Sequence, residues 1–446
     1  MDLPTELWSE IFAYLLLPDL KCVRLVSRYF SQIATPICFT TIRLDLRYDV
    51  DRVIKIASNE VARHVRKLIL QTTPLLPEFD DFNEWEQALA LPGDPDVNPD
   101  DYDSDDDNVL MPHEEWSSLS YDGKKALYDD YRADRRREKD AIRALVSRLC
   151  FCKLGCARRE QVHPNNEPLE ASALEQLDEV IKKFSKLAVF TNEPGFIFAC
   201  SSRSQWRRLR FNPDVLDYKP LYEDEDAEAL QLSVILRALG WAGCKIRSMD
   251  IYIDGPAFWG PSRLRYLWQG DGHEHIRMLR EVLGSAADAY IDKTEPNNLG
   301  DRYRGQWIIM QNALVNISHL TINISEKGGP LAVAGSLFEF LCCCEKLKQA
   351  CLVFDGVDGP GELFSLLAKQ KPWPKLCDLE LSVVTDENAL LDFLSSLNST
   401  LRRLSLSHVL LLSLGGSWDS AVLRIRSVLR LNSLEIPSFW QQYLDE

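Results

Sequence analysis

The chain has 446 residues, 46% hydrophobic and 26% charged, enough for roughly two or three structural units with an ordinary globular core. A formal net charge of -16 works against nucleic acid and anionic membranes as partners, since both attract a positive field. The opening MDLPTELWSE has no basic, signal-like region, and no run reaches the roughly 18 apolar residues of a spanning helix. The chain is therefore expected to be intracellular, cytoplasmic or nuclear. Its 12 cysteines then read as reduced core residues, and the sequons at Asn316, Asn323 and Asn398 as unused.

The first forty residues predict three helices. Leu3, Leu7, Ile11 and Leu15 recur every four residues and form one stripe, widened by Trp8 and Phe12. Pro4 and Pro18 sit where a first helical turn tolerates proline. A second helix is expected from about Pro18 to Val26 with Leu20, Val23 and Val26 inward. A third, from about Ser27, carries Phe30 and Ile33 and is expected to stop before Pro36. A unit below about 40 residues rarely buries enough surface to stand alone, so its apolar excess must meet the rest of the chain or another protein.

The order Leu3-Pro4, Glu6-Leu7, Ile11-Phe12, Leu15, Asp19-Leu20, Val26-Ser27-Arg28 and Phe30 resembles the F-box motif. One departure is Phe30, where many members carry tryptophan. The resemblance implies a three-helix module that binds the Skp-type adaptor of cullin-based (SCF) ubiquitin ligases. Carried over by position, it makes Leu3, Pro4, Leu7, Ile11, Leu15, Leu20, Val26 and Phe30 the expected adaptor contacts. It covers about a tenth of the chain.

Residues 41–75 read as a connector with a first degenerate repeat, and residues 76–165 as an acidic, partly disordered insertion with a charged helix. Asp94, Asp96, Asp100, Asp101, Asp103, Asp105, Asp106 and Asp107 crowd one segment that repels itself. A helix is expected from about Glu114 to Leu149, with Leu127, Tyr131, Ile142, Leu145 and Leu149 inward. Arg135, Arg136 and Arg137 fit a solvated face better than a localisation signal. Asp103, Asp105, Asp107 and Glu114 have calcium-loop spacing, but Asn108 replaces the needed glycine and Pro112 intrudes. Cys150, Cys152, Cys156 and His163 lack the paired spacing of a zinc finger. No metal or cofactor is expected.

From residue 166 onward a repeat is expected. Strand-like runs with L-x-x-L-x-L spacing have middle positions at Leu320, Ala350, Leu379, Leu404 and Leu434, stepping by 30, 29, 25 and 30 residues. Helices are expected at Leu331–Cys344, Gly361–Lys369, Glu387–Leu397 and Ala421–Leu429. Weaker copies run Val65-x-x-Leu68-x-Leu70, Trp206-x-x-Leu209-x-Phe211 and Ile246-x-x-Met249-x-Ile251. This resembles leucine-rich repeats, in which each unit must stack on neighbours to bury its apolar side. The fold class expected is α/β: an N-terminal three-helix F-box followed by an irregular leucine-rich-repeat-like solenoid over residues 166–446. Irregular repeats and large insertions resemble fungal F-box proteins.

Enzyme signatures are sparse. The chain lacks the G-x-x-x-x-G-K-[ST] phosphate loop, the G-x-S-x-G elbow and the H-E-x-x-H zinc pair. His273 and His275 are too close in sequence to share a helical face. The expectation is a non-catalytic subunit that joins a Skp-type adaptor and cullin scaffold to an unidentified protein substrate. The alternatives are a non-ligase interaction scaffold and a cysteine-dependent enzyme.

Overall fold

The computed structural model describes residues 3–46, 49–72, 79, 81–90, 111, 113–150, 173–194, 210–211, 222–254, 309–330, 334–358, 361–411 and 418–436. Three helices come first: α1 (Thr5–Ala13), α2 (Leu17–Val26) and α3 (Arg28–Cys38). Pro4 stands at the N-cap of α1 and Pro18 lies in the first turn of α2, where no intrahelical donor is lost. The Ser27 hydroxyl accepts from the Phe30 amide at 3.1 Å and caps α3. Contrary to the sequence expectation, α3 runs through Pro36 to Cys38. The proline falls in the last turn, and the Phe39 amide still reaches the Thr35 carbonyl at 3.1 Å.

Beyond α3 the described strands form one open nine-stranded sheet and a two-stranded ribbon. The sheet contains β1 (Thr41–Leu44), β2 (Lys67–Thr72), β4 (Val189–Pro194), β6 (Ser248–Asp254), β7 (His319–Pro330), β8 (Gln349–Asp358), β9 (Asp378–Thr385), β10 (Arg403–Leu411) and β11 (Ser433–Glu435). All its pairings are parallel and the strands follow chain order. The ribbon pairs β3 (Leu89–Ala90) with β5 (Arg210–Phe211) in antiparallel sense. Of the Trp206–Phe211 copy expected in the sequence, the described residues Arg210 and Phe211 belong to this ribbon and not to the main sheet. That place is taken by β4, where Leu187, Phe190 and Asn192 keep the spacing without three leucines.

The register follows the apolar pattern. Leu320 pairs with Ala350, Ala350 with Leu379, Leu379 with Leu404, and Leu404 with Leu434. A second inward row links Ile251, Ile322, Leu352, Leu381 and Leu406, all buried. Parallel strands joined by right-handed crossovers place their helices on one face. Accordingly the helix Ala334–Cys342 packs on Gly361–Gln370, that helix on Glu387–Ser396, and that one on Trp418–Val428. Phe364 and Phe393 stack at 5.0 Å between two of these helices, and buried Trp373 donates Nε1–H to the Leu341 carbonyl at 3.0 Å.

Just before or at each strand start, one backbone bond joins neighbours without a break. The amide donors are Arg66, Ala188, Arg247, Ser318, Lys348, Cys377, Arg402 and Asn432, each reaching the preceding unit's carbonyl at 2.7–3.0 Å. The first acceptor is Thr40, two residues beyond α3, so the three-helix module joins the sheet at the origin of this ladder. Deeper in, Asn192 bridges three strands: its Oδ1 accepts from Thr72 and its Nδ2 donates to the Tyr252 carbonyl at 2.6 Å. One glycine is required by a close approach. A Cβ at Gly240 would collide with the carbonyl oxygen of Ile309.

Between β2 and β4 lies structure that the composition concealed. The short helices Phe82–Gln87 and His113–Ser118 and the long helix Tyr121–Cys150 gather Phe79, Phe82, Trp85, Met111, Trp116, Leu127, Tyr128 and Tyr131 into a second core. Leu127 and Tyr131 face inward as expected. The side chains of Ile142, Leu145 and Leu149, and all of Asp94–Asp107, lie outside the described residues. Arg135 is buried, so the solvated-face reading does not hold for it.

The two faces of one strand give a direct test. Leu404→Ala removes a fully buried inward side chain and should cost about 2–5 kcal/mol. Ser405→Ala, on the half-buried outward face, should stay within about 0.5 kcal/mol. Urea unfolding of both variants checks this, and equal midpoints would contradict the register.

Candidate adaptor-docking surface

The N-terminal module has a small core of its own. Phe12, Leu20, Ile33 and Ala34 are buried, with Trp8, Leu15, Val23, Phe30, Ile37 and Cys38 packed against them. Three rings hold α1 to α3: Trp8 lies 4.8 Å from Phe30, Phe30 5.5 Å from Phe12, and Trp8 5.6 Å from Phe12. The smaller ring at position 30 is thus backed by a tryptophan on α1. A 3.1 Å hydrogen bond between Thr5 Oγ1 and the Tyr29 hydroxyl adds a second α1–α3 tie.

The end of the module is clamped as well. Arg24 of α2 donates from Nε to Thr35 Oγ1 at 3.2 Å and lays its guanidinium 5.1 Å from the Phe39 ring. Thr40 donates its hydroxyl to the Pro36 carbonyl at 2.8 Å. The two-residue link between α3 and β1 is therefore held from both sides.

What this core leaves uncovered is unusual for a soluble surface. Tyr14 is 90% exposed, Leu25 87%, Leu16 72% and Val26 68%. Leu3, Leu7, Ile11, Leu17 and Tyr29 are also exposed. An isolated exposed leucine means little, but nine large apolar side chains on three short helices and their flanks make this module a candidate interaction surface.

The sequence-based set divides on this point. Leu3, Pro4, Leu7 and Ile11 are exposed, as expected of contacts. Leu20 belongs to the internal core, and Leu15 and Phe30 are half-buried against it. Val26, expected inward from periodicity and also carried over as an adaptor contact, points out: six residues beyond Leu20, it has rotated by about 240° around α2. Sequence reasoning did not single out the exposed Tyr14, Leu16, Leu17, Leu25 and Tyr29. The available signal was the apolar run Tyr14–Leu17 across a helix joint, where periodicity gives no inward direction.

Among the described residues no group of three His, Cys, Asp or Glu side chains is placed to hold a metal. The calcium-like aspartates, Cys152, Cys156, His163 and the His273–His275 cluster lie outside the described residues. No described helix is long and apolar enough to cross a membrane. The described cysteines are free thiols, and burial works against the ionisation of several of them. It pushes Cys244 and Cys342 up to about 11 and Cys343 up to about 12.

Cys351 faces outward on β8 between Thr321 and Glu380, and burial with the Glu380 carboxylate raises it to about 12. At pH 7 this thiol is then overwhelmingly protonated. Peptide-resolved alkylation should find it slow at pH 7 and faster after Glu380→Gln, which removes the charge that opposes ionisation. Rapid alkylation of Cys351 at neutral pH would overturn this reading and favour thiol chemistry.

No curated protein matches the chain in a sequence comparison. A family model described as F-box-like matches residues 1–43, so the module formed by α1, α2 and α3 is an F-box-like domain.

Proposed function

We propose that the chain is the substrate-recognition subunit of an SCF-type E3 ubiquitin ligase. The observation that carries this reading is the coincidence of the F-box-like match with a three-helix module whose exposed apolar side chains exceed what its own core uses. Leu3 just before the first helix, Leu7 and Ile11 on it, and Leu16, Leu17, Leu25 and Val26 around the second, dock on a Skp-type adaptor. Fully burying one such side chain contributes about 1.5–3 kcal/mol, so three or four well-packed anchors suffice for a specific complex. The adaptor in turn joins the cullin scaffold.

The remainder of the chain supplies the partner. Parallel strands in chain order, steps of 25 to 30 residues between the later ones, and helices packed on one another support reading it as an irregular leucine-rich-repeat-like solenoid. Its outward strand face and its insertions are the surfaces available to a protein substrate. The chain itself forms no covalent bond in this scheme. It raises the effective concentration of substrate lysines near the ubiquitin-conjugating partner, so the rate gain comes from proximity.

Two measurements test the reading. Ile11→Asp places a charge on an exposed position outside the internal core, so folding should persist while adaptor affinity falls by about 2 kcal/mol or more, roughly thirtyfold. Co-purification with the adaptor, alongside thermal melting of the variant, reads both. Undiminished adaptor recovery by the variant, or no recovery with the native chain, overturns the docking claim. For recruitment, proximity labelling under proteasome inhibition should enrich proteins that are ubiquitinated only when the F-box-like domain is present. Bound proteins whose ubiquitination and abundance ignore that domain point instead to a non-ligase scaffold.

A further inference from the structure

The chain carries a net charge of -16, yet one rim of its sheet is basic. The backbone ladder crosses the entry to each strand, and at every second rung its donor residue is a cation: Arg66, Arg247, Lys348 and Arg402. Ala188, Ser318 and Cys377 stand between them. A second row lies two residues upstream of ladder positions, at Lys186, Lys245, Lys346, Lys375 and Arg430. All of these side chains are exposed except the half-buried Arg402. Neighbouring strands are about 4.8 Å apart, so the rim runs for roughly 34 Å from β2 to β11 and the ladder cations stand about 9.5 Å apart. That is close to one Debye length at physiological salt, about 8 Å, which limits their mutual repulsion while their fields add on a partner.

The fold does not require this charge. A cation offsets a helix macrodipole only within the last turn. Lys186, Arg247, Lys348, Lys375 and Arg402 stand four to six residues beyond the helices that precede them. Among the described residues, no carboxylate pairs with Arg66, Lys186, Arg247, Lys348 or Arg430. Two carboxylates share the rim, Glu345 and Asp378, and Asp378 is already held by Arg403 at 2.6 Å. At the first rungs, burial and the nearby Arg63, Lys186 and Arg66 hold the His64 imidazole below its ordinary value. Three residues further along the strands, about 10 Å, Asp250 and Glu380 bound the band on the outward face. The rim is thus a long, narrow strip of positive charge.

We propose that this basic rim binds an extended acidic segment of a partner protein. In the recruitment scheme that partner is the substrate, a point that rests on the function proposed above; the binding itself does not. A nucleic-acid duplex or a membrane surface is wider than the band and would also meet Asp250, Glu380 and the field of a net-negative chain. Single-stranded nucleic acid gains from stacking on aromatic rings, and among the described residues no exposed Phe, Tyr or Trp lies beyond Trp241. An extended acidic peptide needs no such platform and fits the width of the strip.

Fluorescence anisotropy of the full chain with a labelled peptide of about ten residues, alternating glutamate and serine, tests this. The native chain should bind the peptide at low salt and lose affinity as salt rises. Arg247→Glu with Lys348→Glu should weaken binding about tenfold or more. The ladder bonds at these positions are made by backbone amides, which the substitutions keep, and thermal melting reads whether the fold persists. Should the reversal fail to fold, Arg247→Gln with Lys348→Gln, which only removes charge, should still weaken binding about threefold or more. Lys55→Glu with Lys125→Glu makes the same change in net charge as the reversal, at exposed positions on the helices Val50–Ala57 and Tyr121–Cys150. That control should change affinity by less than about twofold. No binding by the native chain at low salt, an equal loss in the control, or tighter binding of a single-stranded oligonucleotide or of vesicles containing anionic lipid overturns the proposal. The adaptor takes no part in this measurement, so its failure is distinct from a failure of the docking claim.

Discussion

A strand and the helix that follows it have one apolar side and nothing of their own to cover it. In this chain such units recur at steps of 25 to 30 residues over the later strands, and each covers the next. The solution demands register: a slip of one residue would turn Leu320, Leu379 and Leu404 toward solvent together. The unbroken backbone ladder from Thr40 to Asn432 and the inward leucine rows are two expressions of that requirement. The three N-terminal helices meet the same constraint with a different outcome. They bury Phe12, Leu20, Ile33 and Ala34 and leave Leu16, Leu25 and Val26 exposed.

The join between these regions matters for the proposed role. Phe39 and Thr40 alone separate α3 from β1, and Arg24, Pro36 and the first rung of the ladder hold them. A module fixed in this way to the edge of the sheet transmits its own orientation to everything stacked beyond it. The insertion after β2 contributes a separate aromatic core. Contacts between successive strands of the main body are dominated by buried aliphatic side chains.

Much of this was legible in the sequence, for identifiable reasons. The middle positions Leu320, Ala350, Leu379, Leu404 and Leu434 fall in paired strands because burial on one face enforces the same spacing in each unit. β1 and β4 escaped because Phe39, Ile42 and Leu44, and Leu187, Phe190 and Asn192, keep the spacing while changing the residue types. Asn192 is instructive: a buried amide takes an inward place because Thr72 and the Tyr252 carbonyl satisfy it. The Trp206–Phe211 copy misled because apolar spacing alone does not tell a sheet strand from a ribbon. On the N-terminal module, the family resemblance singled out the exposed Leu7 and Ile11, whereas periodicity sent Val26 inward, since the end of a short helix is where an inferred phase has drifted most. The aromatic core was hidden by the aspartates between its halves.

The central claim is that apolar side chains on the first two helices are the site of adaptor binding. Its most direct measurement is an amide-exchange footprint of the full chain with and without a purified Skp-type adaptor. The account predicts slowed exchange across residues 5–29, with the outward strands β7 to β10 unchanged. A complex whose protection falls only on the strands, or no complex at micromolar concentrations, would contradict it.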